Sequence, residues 1–482
     1  MLSLSSAIDR MQPDQFWRWS GVLLAAAFTF AIVVVLLSAW LSTTALVVIC
    51  AAAAGGIAFC YLAKDDLALL CAILAGFVVI VRYKEGFQVE EVLYGLLYMG
   101  YLSYWFISRL FFYRDDILRT KVDWALFLFL VYTTLSLGLT PLLEGEMSAA
   151  VSEWLSITML AFYFPIKEVC IRRRERLPQK PILYSLGFVA LFIAVRNLND
   201  YKIGLSQADY LWQIASGRVV MNEHVLMMAG LVTLLFLLYA HRWMGRSVLT
   251  GLFLLFSASI VIAQSRAVWV SFLLGVAVIF FFVDKKRRFQ IALFGVAGLT
   301  AVVAIGTVIF DNFFTVIVAG ITDRFFSLRT AATKDLSLIN RFIEMQAAWS
   351  SIRENPIVGH GFGVPIKYYS LVYEATRVNS YVHNGYVGVL YRHGLIGFLL
   401  LFSFYFGSLW AFVRMAFNRT INQFDRLIAI AAVACLAAEA LVGNSANPYA
   451  VSDSTFIIGA IAGVAAGSRH QTEQTPGDAR DG

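Results

Sequence analysis

Apolar positions in this chain come in long unbroken runs, separated by short segments that carry the charge. Fourteen such runs are read at about 20–40, 42–63, 67–82, 92–112, 124–142, 149–169, 181–196, 224–240, 247–264, 267–283, 290–309, 394–413, 426–443 and 454–468. Roughly 20 apolar residues are needed to carry a helix across a bilayer. A membrane β-barrel would alternate apolar and polar positions over roughly ten-residue segments. Runs such as "AIVVVLLSAW" exclude that pattern. The pattern therefore predicts an all-α, polytopic transmembrane helical bundle of about 14 spans, with one large loop of about seventy residues after the eleventh run.

Composition agrees. The 482 residues are 60% hydrophobic and only 14% charged, with a mean hydropathy of +0.73. A soluble domain carries about a quarter charged residues, so a water-soluble fold is excluded. The net charge of +7 is not spread as on a nucleic-acid-binding surface. It falls in short clusters: Arg109 to Lys121, "KEVCIRRRERLPQK" from Lys167, "HRWMGR" from His241, "DKKRR" from Asp284, and Arg414 with Arg419. Alternating spans put all five on one side, which the positive-inside rule assigns to the cytoplasm. Both termini then lie in the cytoplasm, and the first run reads as a retained anchor. Cys50, Cys60, Cys71, Cys170 and Cys435 sit in or beside apolar runs, with neither disulfide nor zinc spacing.

This topology divides the chain into N-terminal helices (1–200), helices with isolated arginines (201–310), a large periplasmic loop (311–393), C-terminal helices (394–468) and a disordered tail (469–482). On the outer side, Arg266 in "AQSRAVW" and Arg218 in "SGRVVMNEH" run against the positive-inside bias. A charge placed near hydrocarbon costs a few kcal/mol unless it is paired. Arg266 is either a snorkelling residue on headgroup phosphates or one fork of a site for a lipid-linked phosphate, and Arg218 is either a surface residue or a second fork on the same anionic ligand. In "YVHNGYVGVLYRHGLIGF", His383 and Asn384 stand at the mouth of an apolar run. An imidazole there can serve as general base. His360 and His393 are competitors that spacing alone does not rank. Residues 340–353 read as an amphipathic helix on the membrane surface. Glu439 is an acid inside a span, with Arg266 or His383 as candidate partners. Candidate substrate-binding residues are Asn384, Arg341, His224, Glu439 and Arg392. No outer loop offers an Asp-x-Asp pair, so metal-dependent transfer has little support there.

Four features occur in order: Arg218, the "SRAVW" arginine Arg266, "RFIEMQAAW…NPIVGHGFG", and "HN" followed nine residues on by "GLIG". Over residues 210–400 the chain resembles the bacterial O-antigen ligase and polymerase superfamily. The resemblance implies a bundle related to the GT-C glycosyltransferases in the bacterial inner membrane. It also implies inverting transfer of a glycan from undecaprenyl diphosphate to an acceptor hydroxyl at the periplasmic face, without metal or cofactor. Arg218 and Arg266 would hold the diphosphate, and His383 would activate the acceptor. Fourteen spans exceed the family's usual twelve, and "VVMNEHV" stands where the family often has Asn-Pro-Asn. The acceptor is lipid A core for a ligase or a lipid-linked repeat unit for a polymerase, with length leaning to the polymerase. Two other classes are a lipid-linked oligosaccharide flippase and an assembly partner. A transporter favours repeated halves and midplane polar groups, whereas the polar residues here gather at one surface.

Overall fold

A computed structural model of the chain describes residues 65–80, 89–112, 116–173, 177–207, 222–263, 265–296 and 336–473. The runs at 20–40 and 42–63, Arg218, and residues 474–482 of the expected tail lie outside the described residues. The chain divides into two compact units, 1–73 and 74–482. The structure is mostly helical: α1 (Asp66–Gly76), α2 (Val89–Ile107), α3 (Lys121–Ser136), α4 (Met147–Arg172), α5 (Gln179–Gln207), α6 (Glu223–Tyr239), α7 (Trp243–Ile262), α8 (Arg266–Phe282), α9 (Leu336–Ile352), α10 (Gly385–Phe417), α11 (Gln423–Val442) and α12 (Ser452–Glu473). Every apolar run that falls on described residues coincides with a helix, and the eleventh is helical over 285–296. Among the described residues, four helices, α4, α5 (as Gln179–Ile203), α7 and α10, are long and apolar enough to cross a membrane, and three shorter apolar helices accompany them. The last helix continues to Glu473, past the expected start of the tail at 469.

Local signals place the helix ends. Thr120 caps α3 by accepting from the Asp123 amide at 3.2 Å, while Asp123 accepts from the Thr120 amide at 2.8 Å. This reciprocal pair satisfies two of the amides that a helix start leaves open. The same Asp123 carboxylate takes Lys167 at 2.6 Å and the Tyr163 hydroxyl at 2.7 Å, tying α3 to α4. Packing between α4 and α12 depends on Gly459, Gly463 and Gly467, spaced four apart on one face. A Cβ there would meet backbone or Cβ atoms of α4 at 2.9, 2.8 and 2.4 Å. Small residues at that spacing let membrane helices approach closely.

Cross-helix contacts fix the directions of α6, α8 and α11. Gly230 of α6 faces Phe272 of α8, and Leu231 faces Gly275, so α6 and α8 run parallel. Arg426, at the start of α11, reaches the Phe282 carbonyl at the end of α8. At its far end, Glu439 of α11 meets His224 at the start of α6. Arg119, Lys167, Arg287 and Arg426 therefore gather at one end of the bundle, while α9 and the β-hairpin cover the other. Strands β1 (Ile366–Ser370) and β2 (Ala375–Asn379) form that hairpin, antiparallel, with Tyr368 opposite Arg377. Helix α9 does not simply lie on a membrane surface as expected. Its Ala348 and Ile352 bury against Ile366, Tyr368, Val382 and Tyr391, because the hairpin offers a protein face for its apolar stripe.

Helix α10 is broken at Gly394 (φ 56°, ψ −165°), and residues 356–361 fill the break. Leu395 and Ile396 donate to the Pro356 and Ile357 carbonyls at 2.9 and 3.2 Å, while His360 and Gly361 donate to the Tyr391 and Arg392 carbonyls at 2.9 and 2.8 Å. The Tyr132 hydroxyl adds bonds to the Val358 carbonyl (2.7 Å) and the His393 carbonyl (3.1 Å). "NPIVGHGFG" and "HGLIG" are thus two halves of one joint. A Cβ on Gly394 would lie 2.3 Å from the Ile357 carbonyl oxygen, and one on Gly359 2.4 Å from the Gly394 amide nitrogen.

Gly394→Ala is expected to cost about 3 kcal/mol, combining a positive-φ penalty with overpacking against backbone. Gly187→Ala on α5, whose added Cβ meets nothing within 4 Å, should leave stability unchanged or slightly raised. Thermal unfolding of the two purified variants in detergent checks both.

Candidate active site

Helix α9 and the segment between β2 and α10 meet at Glu344 and His383. Glu344 is buried, with 1% of its side chain exposed. Its Oε1 accepts from the His383 backbone amide at 2.6 Å and its Oε2 lies 2.7 Å from His383 Nδ1. The Tyr368 hydroxyl donates to Oε2 at 3.3 Å. Burial and the neighbouring Glu344 raise the Tyr368 pKa, so the phenol keeps its proton and remains a donor. A buried carboxylate needs donors of this kind. Glu344 fixes the proton of His383 on Nδ1 and leaves the Nε2 lone pair free. The imidazole side chain is 38% exposed, so Nε2 can meet a ligand. The Tyr381 ring packs edge-on to it at 5.1 Å.

Neighbouring candidates close the frame around this pair. Asn384 caps α10, accepting from the Val387 amide at 3.0 Å and donating to the Asn444 carbonyl at 3.1 Å. Arg341, one turn before Glu344 on α9, donates to the Ser445 carbonyl at 3.0 Å. Both thereby anchor to the loop that follows α11. Arg266 opens α8 at the same end of the bundle as that loop, after the buried N-cap residue Ser265.

Two histidines that competed with His383 are differently placed. His393 is 1% exposed. Its ring sits between Phe129 and Phe362, with centroids at 5.6 and 4.9 Å. His360 is buried and stacked on Tyr391 at 4.9 Å. Neither ring combines a close carboxylate with open access.

Glu439 does not pair with Arg266 or His383 as expected. Its partner is His224, with Nδ1 at 3.1 and 3.0 Å from the two carboxylate oxygens, and Ser454 donates to Oε2 at 3.3 Å. The group is buried and joins α6, α11 and α12. Arg392 is also committed within the protein. It donates to Glu153 Oε1 and to the Ser380 carbonyl, each at 3.0 Å. Glu153 further accepts from Ser380 Oγ at 2.6 Å and the Gly363 amide at 3.2 Å. Glu153 therefore pins the joint loop and the approach to His383 onto α4. Glu344 and Glu153 were missed by sequence reasoning. Glu344 lies within "RFIEMQAAW", on a helix that local periodicity reads as lying on the membrane surface, and nothing local singles it out.

Taken together, the fold and site define an integral membrane protein with a carboxylate-supported histidine at one end of a helical bundle. A family model described as O-antigen ligase matches residues 251–402. That match covers less than half of the chain and spans Arg266, Arg341, Glu344, His383 and Arg392, so this segment is similar to the O-antigen ligase family. No curated protein matches the chain.

Arg392→Ala is expected to leave Glu153 as a nearly buried charge without its cation and to cost about 3 kcal/mol. Thermal unfolding of the detergent-purified variant checks this. An unchanged midpoint together with weakened substrate binding would return Arg392 to the substrate.

Proposed function

We propose that the protein is an inverting, metal-independent glycosyltransferase. It moves an undecaprenyl-diphosphate-linked glycan onto an acceptor hydroxyl at the periplasmic face of the bacterial inner membrane, in O-antigen or exopolysaccharide assembly. The family match supports glycan transfer of this type, and the observation that carries the residue assignment is the Glu344–His383 pair. In this reading the bundle is GT-C-like with about fourteen spans, and both termini lie in the cytoplasm beside the basic end.

His383 Nε2 takes the proton of the acceptor hydroxyl as its oxygen attacks the anomeric carbon from the face opposite the diphosphate. The bond from that carbon to the diphosphate oxygen breaks, and the lipid diphosphate leaves with the electron pair. Glu344 holds the imidazole in the right tautomer and stabilises the imidazolium as it forms, the role a buried carboxylate plays behind a histidine base. Arg266 and Arg218 would meet the developing charge on the leaving diphosphate, since fixed guanidiniums in a water-poor site are strong electrostatic stabilisers. Asn384 and Arg341 border the same space. Arg392, His224 and Glu439 act through other residues, as the frame that holds the site.

One reading is a polymerase, which extends a second lipid-linked repeat unit. The description of the matching family, O-antigen ligase, favours the second reading, transfer to lipid A core. Glycan profiles of a deletion strain separate them. One repeat unit on lipid A core with longer chains missing means a polymerase. Uncapped lipid A core with long chains held on the lipid carrier means a ligase.

His383→Ala is expected to abolish transfer with insertion and thermal stability retained, and normal glycan profiles in that strain would refute its role. Glu344→Gln should lower the rate by about 10²-fold, within the range of general base catalysis, as read from release of undecaprenyl diphosphate. Arg266→Lys should be markedly impaired because an ammonium lacks the planar fork. Wild-type turnover there would make Arg266 a headgroup anchor.

A further inference from the structure

A second polar site lies at the opposite, basic end of the bundle. Between the start of α3, the end of α4, the last third of α10 and the end of α12 is a cavity of about 40 Å³, lined in part by Arg119, Thr120, Lys167, Ser408, Arg469 and His470. A water needs roughly 10–15 Å³ of such volume, so the space is that of about three waters or one tetrahedral oxyanion.

Three of its lining residues each carry a buried atom with no hydrogen-bond partner among the described residues: Arg119 Nη1, Ser408 Oγ and His470 Nδ1. Ser408 is 2% exposed, in a mostly apolar stretch of α10. Leaving a buried donor unsatisfied costs about 1–3 kcal/mol, more if it is charged, so three orphans around one small cavity indicate an absent partner. The guanidinium can only donate, so that partner must accept. Arg119, Lys167 and Arg469 line the cavity with one carboxylate, Asp123, which pairs with Lys167 at 2.6 Å, while Arg119 pairs through Nη2 with Glu168 at 3.0 Å and keeps Nη1 unbonded. The remaining face, Val122, Ala411 and Phe412, is apolar.

We propose that this cavity binds a phosphate ester, with Arg119 Nη1, Ser408 Oγ and His470 Nδ1 on the phosphate oxygens. The group would be either the headgroup phosphodiester of an anionic phospholipid or a soluble phosphate. This site is separate from His383 and serves no step of the proposed transfer. A bound phosphate would clamp α3, α4, α10 and α12 together at that end.

The test is thermal unfolding of the detergent-purified full chain, followed by tryptophan fluorescence. Phosphatidylglycerol, phosphatidylcholine and inorganic phosphate are added separately, with chloride as the control at matched ionic strength. Wild type is compared with Ser408→Ala and His470→Ala, which break no ion pair, each measured against its own untreated midpoint. A rise with phosphatidylglycerol that is absent with phosphatidylcholine, and an affinity about tenfold weaker in each variant, supports a lipid headgroup. A tenfold loss corresponds to one charge-assisted hydrogen bond. A rise with inorganic phosphate, weakened in the same variants, supports a soluble phosphate. No rise with either anion, or equal rises in wild type and both variants, overturns the site and leaves the cavity to water.

Discussion

The backbone pairing that fills the break in α10 is the constraint on which the site depends. A helix interrupted inside apolar surroundings leaves carbonyls and amides that no water can satisfy, at a cost of several kcal/mol each in hydrocarbon. Here residues 356–361 supply the missing partners. Two carbonyls of α10 accept from that segment and two of its amides donate to it. Positive φ at Gly359, Gly361 and Gly394 lets the two chains lie against each other. The joint locks α10 to the segment that follows α9, and so fixes where Glu344 stands relative to His383.

Around the joint, charge is used in two ways. Glu153 collects Arg392, the Ser380 hydroxyl and the Gly363 amide, and it is fully spent on holding the joint to α4. Glu344 collects donors too, but one of them is the exposed His383, whose second nitrogen stays open. Only the second arrangement is suited to chemistry. The His224–Glu439 pair belongs with Glu153, because it is buried and connects three helices.

Both ends of the bundle keep buried polar atoms without partners among the described residues, on Asn447 and His393 near the site and on Arg119, Ser408 and His470 at the basic end. At the His383 end, the cap, the hairpin and the loop after α11 hold Asn384, Glu344 and Arg341 in place. At the basic end, the Asp123–Lys167–Tyr163 group is self-contained, and the unpartnered atoms belong to residues that line one cavity.

The sequence by itself determined the helical class, the positions of the described helices and the basic end. Those features follow from local hydropathy and charge, which act over one span at a time. It also brought out "HN", "GLIG" and "NPIVGHGFG" as segments, because glycine and polar residues at the mouth of an apolar run are anomalous locally. It could not show that the last two form one joint, since their pairing is a backbone contact across more than thirty positions. Nor could it choose among His360, His383 and His393, as exposure and the presence of a carboxylate are set by distant elements. Glu344 looked like one more polar residue of an amphipathic helix. Only the packing of α9 against the hairpin, which turns that residue inward beneath His383, decided that it is part of the site.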